Sequence, residues 1–243
     1  MEGGNDLPSV DTYTKSLMHF DTDFTDVCKK AWQPVGNPVI NTSMHKFKSG
    51  GSMYLDGNSY LNIPATTDFN FGTGNLTAEC WVYLNSYSNF IVGPNLFGSV
   101  TRLMSGFNFN LGQDINSMRF ISNLGGGWRD ELVVPTGKGV PLKVWTHVAF
   151  TRAAGTIYIF TNGKLVASGS GFANYNFNTA YNLGIGYFND GTNVRFLSGY
   201  IDEFRLSNVA RWTADFTPSV LPYFSYDAIV TKRFTNKLLY GYK

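Results

Sequence analysis

Two cysteines, Cys28 and Cys80, are too few for a disulfide framework. Both are expected as free thiols, with Cys80 in a strand where a small apolar thiol packs well. No apolar run approaches the ~20 residues of a membrane-crossing helix, so insertion into a bilayer is not expected. The opening MEGGNDLPSV has neither a charged n-region nor an apolar h-region, which predicts synthesis in the cytoplasm without a cleaved export signal. Charge is sparse as well: 19 basic against 17 acidic side chains give +2, far from the basic stripe that would neutralise phosphates. Nucleic acid is therefore not an expected partner. The three histidines, His19, His45 and His147, include none beside a G-x-S-x-G pattern, and no His/Cys cluster has zinc spacing. His147, inside WTHVAFTR, reads as a strand histidine hydrogen-bonded to its neighbours.

What the chain does have is 43% hydrophobic residues, 16% aromatic residues and 26 glycines, the balance of strands joined by turns. Residues 1–16 are polar and aperiodic and read as an arm outside the core. In LTAECWVYLN, Leu76, Ala78, Cys80, Val82 and Leu84 share one face, because successive strand side chains point to opposite sides. Thr77, Glu79, Trp81 and Tyr83 share the other face, which is either covered by loops or offered as a stacking surface. In WTHVAFTRAAGTIYIFTNGKLVAS, three strands are joined by Ala-Ala-Gly and by Asn162-Gly163, the second tolerating positive φ at both central positions as a type I′ hairpin requires. Roughly a dozen short strands with mostly antiparallel connections must bury two apolar faces, and a two-sheet antiparallel jelly-roll sandwich does this. The fold class is all-β.

The segments LMHFDTDFTD, SGGSMYLDGNSYLNIP, DFNFGTGNLTAECWVYLN, VWTHVAFTR, IYIFTNGKLVAS and GYIDEFRLSNVARWTADFTPSVLPY occur in an order that resembles laminin G-like domains of the concanavalin A-like lectin/glucanase fold. The resemblance covers about residues 17–223. The ending VARWTADFTP after IDEFRLS, and the opening DTYTKSLMHFD, are similar to the version found in bacteriophage tail and virion proteins. What this implies is a concanavalin A-like sandwich that binds glycans or proteins, often with one structural Ca²⁺. It implies a virion protein made in the host cytoplasm, with other virion proteins, further copies of itself and a host-surface glycan as partners. A glycan depolymerase of the same fold and a bacterial cell-surface carbohydrate-binding module are the alternatives.

If the first and last ordered strands pair in one sheet, as the resemblance implies, Asp21, Asp202 and carbonyls near Phe47 and Gly50 would ligate the cation, since Ca²⁺ takes six to eight oxygens. A retaining hydrolase needs two carboxyl groups about 5 Å apart. Adjacent Asp202 and Glu203 are expected on opposite faces of their strand and Glu79 stands alone in its own, so no catalytic residue is assigned. Glu203 and Arg205 read as solvated. For a ligand, rings that stack on sugar C–H faces and a few polar neighbours are the candidates: Trp81, Tyr83, Trp128, Arg129, Tyr187, Asn189 and Asp190. Trp145 and Trp212 read as packing residues. The basic, aromatic segment 224–243 is expected to add to a neighbouring subunit as an extended strand.

Overall fold

The computed structural model describes residues 10–48, 50–88, 94–100, 107–112, 118–122, 129–177, 182–189 and 191–223. In chain order the strands are β1 (Thr14–Met18), β2 (Gln33–Val35), β3 (Val39–Asn41), β4 (Ser52–Asp56), β5 (Tyr60–Ile63), β6 (Leu76–Leu84), β7 (Asn95–Ser99), β8 (Phe107–Asn110), β9 (Arg119–Ser122) and β10 (Arg129–Val133). They continue as β11 (Thr146–Ala153), β12 (Thr156–Thr161), β13 (Lys164–Gly169), β14 (Leu183–Ile185), β15 (Tyr187–Asn189), β16 (Val194–Phe196) and β17 (Ser198–Ser207). Among the described residues the one helical element is a single 3₁₀ turn, Thr67–Phe69.

The larger sheet runs β13-β12-β11-β6-β17-β4-β3, with β1 also paired to β17; the smaller runs β10-β9-β8-β7-β14-β5-β2. Their ladders are antiparallel, so the all-β sandwich expected from composition and alternation is what forms. The predicted apolar face of β6, from Leu76 to Leu84, lies wholly in the core. Rings from the two sheets meet there, Phe97 with Phe204 at 5.6 Å and Phe120 with Phe150 at 5.2 Å. Burying a ring of this size contributes roughly 1.5–3 kcal/mol, which makes the aromatic seam the main adhesive between the layers. The Asn162-Gly163 turn has φ of 49° and 74°, as a type I′ hairpin needs. Gly163 is required twice over, because a Cβ there would sit 2.0 Å from the Phe216 carbonyl oxygen.

Strand β17 departs from simple alternation. Asp202 faces Trp81 and Arg205 faces Glu79, so Glu203 and Phe204 together oppose Cys80 in a bulge, with Glu203 at φ 52°. The extra residue leaves Ile201, Phe204 and Leu206 in the core and turns Asp202, Glu203 and Arg205 all to the outer face. The expectation that Asp202 and Glu203 occupy opposite faces is thereby corrected. The reading of Glu203 and Arg205 as solvated is corrected too, since they are 1% and 4% exposed. What covers them is residues 208–223, an irregular strap laid over the outer face of the larger sheet. Arg211 ties its start to Asp11, Thr14 and Ser207; the Phe216 amide bonds the Gly163 carbonyl; Leu165 N–H bonds Asp215; and Tyr223 ends on Glu203 and Glu79.

Arg152 is fully buried on the core side of β11, in phase with Val148 and Phe150. Its guanidinium donates to the carbonyls of Gly72, Gly74, Phe172 and Ala173 at 2.7–3.2 Å and lies 4.6 Å from the Phe177 ring centre. It staples two loops, and among the described residues no carboxylate pairs with it. Arg152→Met leaves those carbonyls without their donor and is expected to cost on the order of 3 kcal/mol. The check is a lower urea midpoint at unchanged slope; an unchanged midpoint contradicts the staple.

Candidate binding surface

On the outer face of the larger sheet the register lines up aromatic residues across the strands. Tyr200 on β17 faces Tyr83 on β6 and Tyr54 on β4, and Tyr54 in turn faces Val39 on the edge strand β3. Trp145, just before β11, continues the row beyond Tyr83. Ring centres are 5.7 Å apart for Tyr83–Trp145, 5.8 Å for Tyr83–Tyr200 and 4.9 Å for Tyr54–Tyr200. All four rings are half-buried. They repeat at the ~4.8 Å spacing of neighbouring strands, which gives a stripe of ring surface with hydroxyls along its edge. Trp145 therefore does more than pack: it ends the stripe.

Two alternation steps along β6 from Tyr83, at Glu79, the outer face is sealed. Glu79, 2% exposed, accepts from Arg205 Nε and lies 2.6 Å from Arg205 Nη2 through Oε1, while Oε2 accepts from the Tyr223 hydroxyl at 2.8 Å. The Tyr223 ring lies 3.9 Å under the Arg205 guanidinium. Burial alone would raise the Glu79 pKa, but Arg205, with His147 and Tyr223, outweighs it and holds the group at about 2. His147 lies beneath the rings of Trp212 and Phe216 at 1% exposure. His147 is the strand residue expected, and its backbone N–H bonds Asn162 Oδ1 at 2.9 Å; its ring Nε2 is 3.2 Å from Glu79 Oε2 but off the line of a hydrogen bond, and Nδ1 has no hydrogen-bond partner among the described residues. Glu79, His147, Arg205 and Tyr223 line a cavity of about 170 Å³ under the strap.

Beside the bulge stand the residues expected to ligate a cation. Asp202 is 2% exposed and accepts from the Lys46 amide at 2.9 Å. Burial, aided by the charges of Glu203 and Asp21 and opposed by that N–H, pushes its pKa up to about 8. Asp21 Oδ1 occupies the space a side chain would need at Gly50, whose φ is 103° and whose built Cβ would lie 1.7 Å away. The Phe47 carbonyl is engaged by the His45 ring. Glu203 accepts from His19 at 2.8 Å and from the Tyr223 amide at 2.9 Å, so it is committed elsewhere. Among the described residues no three of His, Cys, Asp and Glu converge on a common point. Two mutually repelling carboxylates beside a glycine loop nevertheless suit a hard cation, which would need carbonyl oxygens and water to complete its shell.

The predicted ligand residues divide between two faces. Trp81 and Tyr83 share the outer face of the larger sheet, and Lys46 Nζ lies 3.8 Å over the Trp81 ring. Tyr187 stacks on Tyr60 at 4.2 Å, on the outer face of the smaller sheet, and the Asn189 side chain is used by the Gly191 amide. Arg129 belongs to strand β10, paired with Ser122, and not to a loop as expected. Trp128 and Asp190 lie outside the described residues. Tyr54, Tyr200 and Lys46 were not among the candidates: the first two stand on alternating strands, but only the strand order brings them to Tyr83.

Residues 55–215 match the family described as concanavalin A-like lectin/glucanases superfamily, and the chain belongs to it, in its laminin G-like form. No curated protein matches the chain. Among solved structures, domain 4 of AbnA, a GH43 extracellular arabinanase from Geobacillus stearothermophilus in complex with arabinotriose, superposes with a TM-score of 0.64 at 19% identity, over 82% of this chain and 93% of that one. The binding domain of Paraclostridial Mosquitocidal Protein 1 gives 0.62 at 12% identity, over 82% of this chain and 49% of that one. The binding domain of botulinum neurotoxin DC in complex with rat synaptotagmin II gives 0.59 at 15%, over 80% and 48%. The chain thus spans about half the length of these toxin domains. At such identities the likeness is one of fold.

Tyr223→Phe removes one donor from Glu79 and keeps the ring on Arg205. A loss of about 1–2 kcal/mol is expected. Because the Glu79 pKa is depressed below its unfolded value of 4.5, its stabilisation is present above that pH and fades as pH falls toward 2. The variant should therefore unfold in acid at a higher pH than the parent, followed by fluorescence; coincident acid transitions would contradict the assignment.

Proposed function

We propose that this is a non-enzymatic glycan-binding domain carried on a bacteriophage particle, at the host-facing surface or as a decoration of capsid or tail. The observation that carries the binding reading is the row Trp145–Tyr83–Tyr200–Tyr54, since ring faces set at strand spacing suit the C–H faces of successive sugars. The arabinotriose-bound structure of similar fold supports it. Glu79 supports binding without turnover: at a pKa of about 2, with both oxygens engaged, it is no proton donor for a glycosidic oxygen. The particle setting, with other virion proteins and further copies as partners, rests on the sequence resemblance at DTYTKSLMHFD and VARWTADFTP. Finding the chain by mass spectrometry in purified virions is the expected result there.

Tyr83→Ala with Tyr200→Ala should lower glycan-array signal at least about tenfold, each lost stacking contact being worth roughly 1 kcal/mol. The melting temperature should shift by a few degrees only. Full signal in the double variant rejects the row as the site.

The domain also holds one structural Ca²⁺ in this reading, between Asp21 and Asp202 with carbonyls at Phe47 and Gly50. The cation would supply the positive charge that these two carboxylates lack. Millimolar calcium is expected to raise the melting temperature over that in chelator, and Asp202→Asn to abolish the difference. Identical melts of the parent protein with and without chelator reject the metal.

A further inference from the structure

Trp81 follows the aromatic row by one alternation step on β6, a distance of ~7 Å. There the surface drops into a cleft of about 550 Å³. Loop residues Lys46, Phe47 and Lys48 form one wall and the strap, through Val220 and Leu221, forms the other. The Phe47 ring stands at 90° to Trp81, with centres 6.2 Å apart. Val220 and Leu221 are 82% and 45% exposed, an unusual setting for two aliphatic side chains in sequence.

The cleft is cationic as well as apolar. Lys48 is exposed and Lys46 is half-buried with its ammonium on the Trp81 ring. Among the described residues neither lysine forms an ion pair. Asp202 is buried and is bonded by the Lys46 backbone amide, not by the ammonium. Half-buried with its ammonium against the Trp81 ring, Lys46 is only partly solvated and gains from an anion. Two unpaired ammonium groups flanking Phe47, Val220 and Leu221 suit a ring that carries both an apolar C–H face and a negative group. A neutral sugar would leave both charges idle. A polyphosphate chain would leave the aliphatic wall uncovered.

We propose that this cleft is the subsite for a carboxylated sugar, so that the glycan lying on the aromatic row is an acidic one, its carboxylate held by Lys46 and Lys48. The proposal rests on the glycan-binding reading above and adds the chemical class of ligand. Continuity supports it, because the row and the cleft share strand β6 and one chain of linked sugars spans both.

The test uses an array of uronate-containing oligosaccharides beside their carboxyl-reduced counterparts, with poly-glutamate as a peptide control, at low and high salt. Acidic members should be retained about tenfold more strongly than their reduced partners at low salt, one exposed and one half-buried charge pair being worth roughly 1.4 kcal/mol together. The preference should shrink at high salt and vanish in Lys46→Met with Lys48→Met. Lys48→Met alone, at an exposed position, should lose part of it and serves if the double variant does not fold. Equal retention of acidic and reduced sugars, or an unchanged preference in the lysine variants, overturns the acidic-sugar subsite and leaves the glycan-binding reading standing. Retention of poly-glutamate with no sugar bound, or no retention of any member, overturns both.

Discussion

The outer face of this domain is organised by one buried ion pair. Glu79 and Arg205 are direct cross-strand neighbours on β6 and β17, and neither side chain is more than a few per cent exposed. Removing one member of such a pair strands a charge in a low-dielectric setting, at a cost of about 3–5 kcal/mol. The pair also does something a hydrophobic substitute could not. It gives Tyr223 a carboxylate to donate to and a guanidinium to lie against, and this fixes the end of the strap. With its end fixed, the strap holds Phe216 on Phe160, encloses His147, and presents Val220 and Leu221 as one wall of the cleft.

The bulge in β17 is what allows this arrangement. A strict alternation would send one of Asp202 and Glu203 into the aromatic seam between the sheets, where an ionised carboxylate costs several kcal/mol. One extra residue at positive φ costs about 1–2 kcal/mol and keeps both acids on the outer side, where Lys46, His19 and Tyr223 supply donors. The two acids then take separate duties. Glu203 knots the end of β1 to the strap, and Asp202 faces the loop that carries Lys46.

Local pattern carried much of the architecture. The core face of β6 and the Asn162-Gly163 turn can be read from single segments, because each depends only on alternation or on the φ tolerance of two residues. The bulge cannot be read that way, since it is a property of register against β6 and not of the β17 segment alone. The aromatic row was half legible: Tyr83 stood out in its strand, but Tyr54 and Tyr200 join it only through the order β4-β17-β6, which no local rule supplies. Glu203 and Arg205 were misread for the same reason at longer range, because their burial comes from an irregular strap with no periodic signature. Alternation puts Trp81 on the outer side of its strand, but it does not show that the ring is 8% exposed or that the lysine on it comes from a loop 35 positions earlier in the sequence.

His19, just after the first strand, and Tyr223, the last described residue, both bond to the one carboxylate of Glu203. Because Thr14 pairs with Ser207 and Met18 with Phe204, Glu203 sits by the finish of β1 and not by its start. A pull on residue 223 is therefore shared between β17 and the residue that follows β1, so the load does not fall on one strand alone.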